Sequence, residues 1–295
     1  MILRLAASSG FCFGVRRAIQ MALDASKGRD VIYSIGELIH NPQFVKELEE
    51  QGIKVAKEAQ DIYDSVVIIR SHGITFQDLQ ILQANGNIII DATCPYVSRT
   101  HELIQIAIQD GYEVLILGDA KHPEVIGMMS YGNHHTRIIA PGEVPSGIKG
   151  KRICLISQTT QKIENLKKLA CDILTQVLEL KVYNSICLAT TQRQNASAAL
   201  AKDSDLMIVI GGRKSSNTKM LASLCSQYCT TLHIETEEEL TADSLLGKER
   251  IGLSAGASTP EDRILKVYNK ILKINGEEGL ATSVHNIPLF KEESC

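Results

Sequence analysis

No stretch of the chain approaches the ~20 apolar residues that a membrane-spanning helix needs. The first ten residues, MILRLAASSG, lack the basic segment and long apolar run of a secretory leader. A cytoplasmic protein is expected, with no membrane partner. Basic clusters are missing as well. The 31 Lys and Arg stand against 34 Asp and Glu, the formal charge is −3, and no K/R-rich stripe offers a footprint for nucleic acid. Pro-rich and Gly/Ser-rich linkers are also absent, so the folding units should pack tightly instead of swinging. What is present is an ordinary globular composition, 44% hydrophobic and 22% charged, over 295 residues. That length exceeds what one core organises, and two or three units of roughly 80 to 150 residues are expected.

Cysteine is the exception to this plainness. Eight occur, and in a reducing compartment they argue for metal or redox chemistry over a disulfide framework. Cys154 lies inside the apolar run RICLI and reads as core, while Cys171 and Cys295 suggest no role. Cys225 and Cys229 are four apart on an expected helix, but no matching His or Cys follows, so they read as buried or surface thiols. The remaining three, Cys12, Cys94 and Cys187, open one recurrent phrase: FCFGVRRA, DATCPYVSRTHE and NSICLATTQRQN. Each phrase follows a short apolar run and a polar corner, and continues as a helix-like stretch with Arg or His.

The recurrence extends beyond the cysteines. After each comes a helical stretch, then an apolar run (VIYSI, VLIL, LMIVI), a polar corner (GELIHNP, GDAKHPE, GGRKSSN) and another helix. A second apolar run with its own corner follows: VVIIR with SHG, RICLI with SQTT, RIGLS with AGASTP. Short apolar runs alternating with helical patterns are the mark of parallel strands buried on both faces. The expected fold is therefore α/β: three similar lobes with small parallel sheets in a pseudo-threefold, trefoil-like arrangement around a central cluster. The lobes span 1–94, 95–184 and 185–275, and 276–295 wraps back over them.

Ligands of open α/β sheets bind outside the carboxyl ends of the strands, where helix N-termini present free amides. The six corners offer His40 and Asn41, His72 and Gly73, His122 and Glu124, Gln158 to Thr160, Ser215 to Asn217, and Ser258 and Thr259. Hydroxyls, amides and three imidazoles form a cage suited to a small anion such as a diphosphate. Taken singly, Ser215 and Ser258 read as helix N-caps, and Glu124 as a first-turn acid favoured by the helix dipole. Three histidines at corresponding turns are harder to reduce to surface residues. Pro123 sets Glu124 at a helix start facing the same mouth, which favours it as a proton donor. Three thiolates without a fourth cysteine in register leave one coordination position open. Catalytic zinc and an iron–sulfur cluster are both compatible with that set. Ligands drawn from three lobes fit the larger cluster better, with its fourth iron acting as a Lewis acid.

The ordered motifs CFGVRRA, HNP, SHG, DATCP, HPE, SQTT, ICLATTQRQ, GGRKSSN and AGASTP run from residue 12 to 260. In this order they resemble the family of 4-hydroxy-3-methylbut-2-enyl diphosphate reductases, the last enzymes of the non-mevalonate isoprenoid pathway. The resemblance implies that Cys12, Cys94 and Cys187 ligate a 4Fe-4S cluster with one iron not held by cysteine. It implies that His40, His72, His122, Ser215, Ser216, Asn217 and Ser258 bind the substrate diphosphate, and that Glu124 and Thr159 relay a proton. An allylic diphosphate would be reductively dehydroxylated with electrons from an external donor such as a ferredoxin or flavodoxin. Two other readings of the residues are a non-enzymatic iron–sulfur sensor, which has no need of the polar cage, and a quinolinate-synthase-like dehydratase, which would consume no electrons.

Overall fold

The computed structural model describes residues 1–39, 41–276 and 281–290. The chain opens with strand β1 (Ile2–Leu5) and then repeats one pattern. The first pass is α1 (Phe13–Ser26), β2 (Ile32–Ile35), α2 (Pro42–Glu50), β3 (Ile53–Ala56), β4 (Val66–Ile69), α3 (Phe76–Ala84) and β5 (Ile88–Asp91). The second is α4 (Pro95–Gln109), β6 (Glu113–Leu117), α5 (Pro123–Gly132), β7 (Thr136–Ile139), β8 (Arg152–Ser157), α6 (Ile163–Leu174) and β9 (Glu179–Val182). The third is α7 (Leu188–Lys202), β10 (Leu206–Ile210), α8 (Ser216–Cys225), β11 (Thr230–Ile234), the short α9 (Ala242–Leu245), β12 (Arg250–Ala255) and α10 (Glu261–Ile274). Three four-stranded parallel sheets result, ordered β3-β2-β4-β5, β7-β6-β8-β9 and β11-β10-β12-β1.

The three orders are one topology. The fourth strand of each sheet runs into a cysteine: β5 before Cys94, β9 before Cys187 and β1 before Cys12. The third sheet takes this strand from the chain start, with Ile2 to Leu5 in register with Arg250 to Leu253. The span 1–94 therefore gives its leading strand to the sheet of 185–275, which cuts at 94 and 184 do not provide for. Compactness divides the chain accordingly. One unit holds residues up to Phe13, a short stretch ending at Phe44, and the described residues from Leu188 onward; the other holds Gly14–Ile39 and Val45–Cys187.

Burial on both faces explains why the middle strands are largely apolar. In β10, Leu206, Ile208 and Ile210 join the core under α10, while Met207 and Val209 face the opposite core with Leu200 and Leu221. In β6, Val114 and Ile116 pack with residues of α4 and α5, and Leu115 and Leu117 with residues of α6. Each such side chain contributes about 1.5–3 kcal/mol by leaving water. Residues 288–290 lie along the third sheet: the Leu5 amide donates to Pro288 O and Leu5 O accepts from Phe290 N, covering the free edge of β1. Among the described residues no helix is long and apolar enough to cross a membrane.

Ile208 is fully buried, whereas Ile88 on β5 is 63% exposed. Ile208→Ala should cost about 2–5 kcal/mol of stability and Ile88→Ala less than about 1 kcal/mol, read from denaturant unfolding. Equal losses would contradict the two-faced burial of the central strands.

Candidate active site

Each of the three recurrent cysteines stands immediately before a helix, and each is tied to its own sheet by one equivalent bond. The Cys94 amide donates to Ser71 O (3.0 Å) in the corner after β4, that of Cys187 to Thr159 O (3.0 Å) after β8, and that of Cys12 to Ala257 O (3.2 Å) after β12. None of the three is in a disulfide, and all are partly exposed. Thiolates are soft donors, and three of them fit an iron–sulfur group. Among the described residues no three His, Cys, Asp or Glu side chains form a site for a single metal ion. Cluster ligation is a different arrangement, because it spreads the thiolates over separate irons.

In the unit that contains Cys94 and Cys187, the predicted residues form a continuous line. His72 follows Ser71, and its ring meets that of His122 edge-on at 5.3 Å and 84°. His122 is the N-cap of α5, its Nδ1 accepting the Glu124 amide at 3.2 Å. Pro123 occupies the first helical position, where its missing N–H costs nothing. Glu124, 1% exposed, receives two bonds from Thr159: the backbone N–H at Oε1 (2.6 Å) and Oγ1 at Oε2 (2.9 Å). Gln158 Oε1 accepts the Asp119 amide at 3.1 Å and so joins the two corners. Burial pushes the Glu124 pKa up to about 7, and the two Thr159 bonds oppose that only in part. A carboxyl that exchanges its proton near neutrality, hydrogen-bonded to a hydroxyl, can pass a proton through that hydroxyl.

The other unit gathers Cys12, Ser215, Ser216, Asn217 and Ser258. Asn217 Oδ1 accepts the Ala257 amide at 3.1 Å, and Ala257 O in turn receives the Cys12 amide. Asn217 Nδ2 and Ser258 Oγ are buried without a partner, and unsatisfied buried donors are expensive unless a ligand meets them. Ser215 caps α8 by accepting the Thr218 amide at 3.3 Å, so the simple capping reading holds for it. Ser216 begins that helix, and helix N-termini favour phosphate. His40 lies outside the described residues.

Some residues escaped the sequence reading. Arg17 Nη1 donates to Thr93 O (3.2 Å), and Arg193 Nη2 to Gly10 O (2.6 Å), each fixing the backbone just ahead of a cysteine. The arginines of the recurrent phrases were the available signal. His101 stacks on Tyr131 (4.1 Å, 13°) and lies against Gly73. Burial lowers its pKa to about 4 against the pull of Asp91, so it supports the His72 corner as a neutral ring.

A family model described as LytB protein matches residues 3–272. The chain belongs to the LytB protein family. Among its relatives, the 4-hydroxy-3-methylbut-2-enyl diphosphate reductase of Geobacter sulfurreducens is 42% identical over 276 residues, covering 93% of this chain and 98% of that protein. The protein of the same name from Caldanaerobacter subterraneus is 39% identical over 285 residues, with 94% and 99% covered. Two solved structures are similar. One, titled as (E)-4-hydroxy-3-methyl-but-2-enyl diphosphate reductase, the terminal enzyme of the non-mevalonate pathway, has a TM-score of 0.68 at 38% identity, covering 92% of this chain and all of that one. The other, the E-1-hydroxy-2-methyl-but-2-enyl-4-diphosphate reductase of Plasmodium falciparum, has a TM-score of 0.87 at 28% identity, with 98% and 95% covered.

Glu124 carries a pH signature. Its folded pKa of about 7 lies above the ordinary 4.5, so the protonated form stabilises the fold. That contribution is complete below about pH 4.5 and is lost as pH rises through 7. Wild type should lose ~3 kcal/mol more than Glu124→Gln between pH 4.5 and 8 in urea unfolding. Parallel profiles would contradict the buried, proton-holding carboxyl.

Proposed function

We propose that this LytB family member is a 4-hydroxy-3-methylbut-2-enyl diphosphate reductase. Substrate, two electrons and two protons give isopentenyl or dimethylallyl diphosphate and one water. The observation that carries the reading is the buried Glu124–Thr159 pair, whose threonine also anchors Cys187. Membership in a family whose named relatives are such reductases over nearly the whole chain supports it.

Cys12, Cys94 and Cys187 would hold a 4Fe-4S cluster with one iron free of cysteine, which when bound supplies the electrons and a Lewis acid for the substrate oxygen. An external donor such as a ferredoxin or flavodoxin replenishes the electrons. The chain's own residues do the rest. Asn217 Nδ2 and Ser258 Oγ, both unpartnered donors, take phosphate oxygens, joined by His40, His72, His122, Ser215 and the head of α8 at Ser216. Holding the diphosphate away from the bond that breaks gives orientation. Glu124 passes its proton to Thr159 Oγ1, and Thr159 gives its own to the departing hydroxide, which leaves as water. The allylic electron pair spreads over three carbons, and protonation at either end gives the two products.

With a chemical reductant under anaerobic conditions, two electrons should disappear per diphosphate product formed. Product without electron consumption would point to a dehydratase, and electron uptake without product to a sensor. Glu124→Gln should keep substrate affinity within a few-fold while kcat falls by about 10²–10⁴, and wild-type turnover would refute the acid. Asn217→Ala should chiefly raise KM, and unchanged saturation would refute the phosphate contact.

A further inference from the structure

The carboxyl ends of the first sheet enclose a cavity that the reaction above does not employ. Its volume is ≈ 330 Å³, and its lining includes Ile35, Lys57, Arg70, Ile74, Pro123 and Ile126. Its place is significant. The chain leaves β2 for β3 on one side and reaches β4 and β5 on the other, so the crevice at the ends of β2 and β4 is the switch point where such sheets bind ligands. The same crevice in the second sheet holds Glu124 and Thr159, and in the third Asn217 and Ser258.

The polar lining holds two cations, Arg70 and Lys57, and one carboxylate, Asp78. Arg70 follows β4, and its Nε donates to Gly73 O at 3.3 Å. Its guanidinium lies directly over Gly36, where a Cβ would overlap Nη1. Gly36 has φ +67°, so the seat needs glycine twice over, for its conformation and for its lack of a side chain. Asp78 is engaged by the Thr75 hydroxyl at 2.7 Å in the first turn of α3. Burial lowers the Arg70 pKa, and the carboxylates of Glu37 and Asp78 counter that only in part. Lys57, exposed at the end of β3, adds a second cation. The opposite wall is apolar and accessible: Ile126 on α5 is 45% exposed. One turn of α5 thus buries Glu124 toward Thr159 and presents Pro123 and Ile126 to this cavity.

We propose that the cavity binds a short-chain alkyl phosphate, its anion on Arg70 and Lys57 and its chain against the isoleucines. A planar guanidinium and an ammonium suit phosphate oxygens, and a mostly apolar crevice of this size suits a chain of about five carbons. The site stands whether or not the reductase reading holds.

Calorimetric titration of the intact, cluster-loaded protein with n-pentyl phosphate should show saturable binding. Affinity should fall at least about tenfold in Lys57→Glu and in Ile126→Asp, both exposed positions that leave the fold intact, and persist in Asn217→Ala. Inorganic phosphate and 1-pentanol, each carrying half of the ligand, should bind at least about tenfold more weakly. Absence of binding, wild-type affinity in both cavity variants, or loss of binding in Asn217→Ala would overturn the proposal. In the Asn217→Ala protein, displacement of the probe by dimethylallyl diphosphate would make the natural ligand an isoprenoid diphosphate. Lack of displacement would make it another alkyl phosphate at the same site.

Discussion

Thr159 is the point on which the candidate chemistry turns. Its carbonyl takes the amide of Cys187, while its own amide and hydroxyl bind the two oxygens of Glu124. One residue therefore fixes a proposed metal ligand and the proposed acid in a single frame. The burial that raises the Glu124 pKa would be a plain cost if the carboxyl had no partner. Two bonds from Thr159 keep the proton exchangeable near neutrality instead of locking it on. An acid able to protonate a poor leaving group at physiological pH must be held in that balance.

The threefold repeat explains why the acid occurs once. All three sheets bring a cysteine amide to a corner carbonyl, at Ser71, Thr159 and Ala257. Among the described residues, only the second corner carries a threonine hydroxyl facing a buried glutamate. The third carries Asn217 and Ser258 with unpartnered donors, and the first carries His72 against His122. One backbone plan has been given an acid, an anion seat and a histidine pair by changing a few corner residues. Unsatisfied buried groups gather at these corners, while the middle strands beneath are largely apolar.

Much of this was legible in the chain. Runs such as VIYSI and LMIVI are strands because both faces of a parallel sheet are buried, and the cysteine phrases mark helix starts because a polar corner precedes each one. The edge strands were less visible. Ile88–Asp91 and Glu179–Val182 are half-exposed and mixed in character, so the short apolar runs ahead of Cys94 and Cys187 mark them only weakly. Strand β1 was hidden differently: ILRL pairs with a segment some 250 residues away in sequence, and a local pattern carries no information about that partner. Ser215 showed both of its readings at once, a cap in geometry and still a member of the polar corner. The roles of Gly36 under Arg70 and of the Thr159 backbone depend on contacts between corners, which side-chain identity alone does not reveal.

The protonation of Glu124 is the most direct point of test. Infrared difference spectroscopy of the intact protein across a pH titration, with Glu124→Gln as the reference, would isolate the carbonyl band of its protonated carboxyl. The account predicts a band that disappears with a midpoint near pH 7 and is missing from the variant. Thr159→Val should move that midpoint higher, because it removes a bond that lowers the pKa. A carboxyl that titrates in the ordinary range near 4.5, or a midpoint indifferent to Thr159, would contradict it.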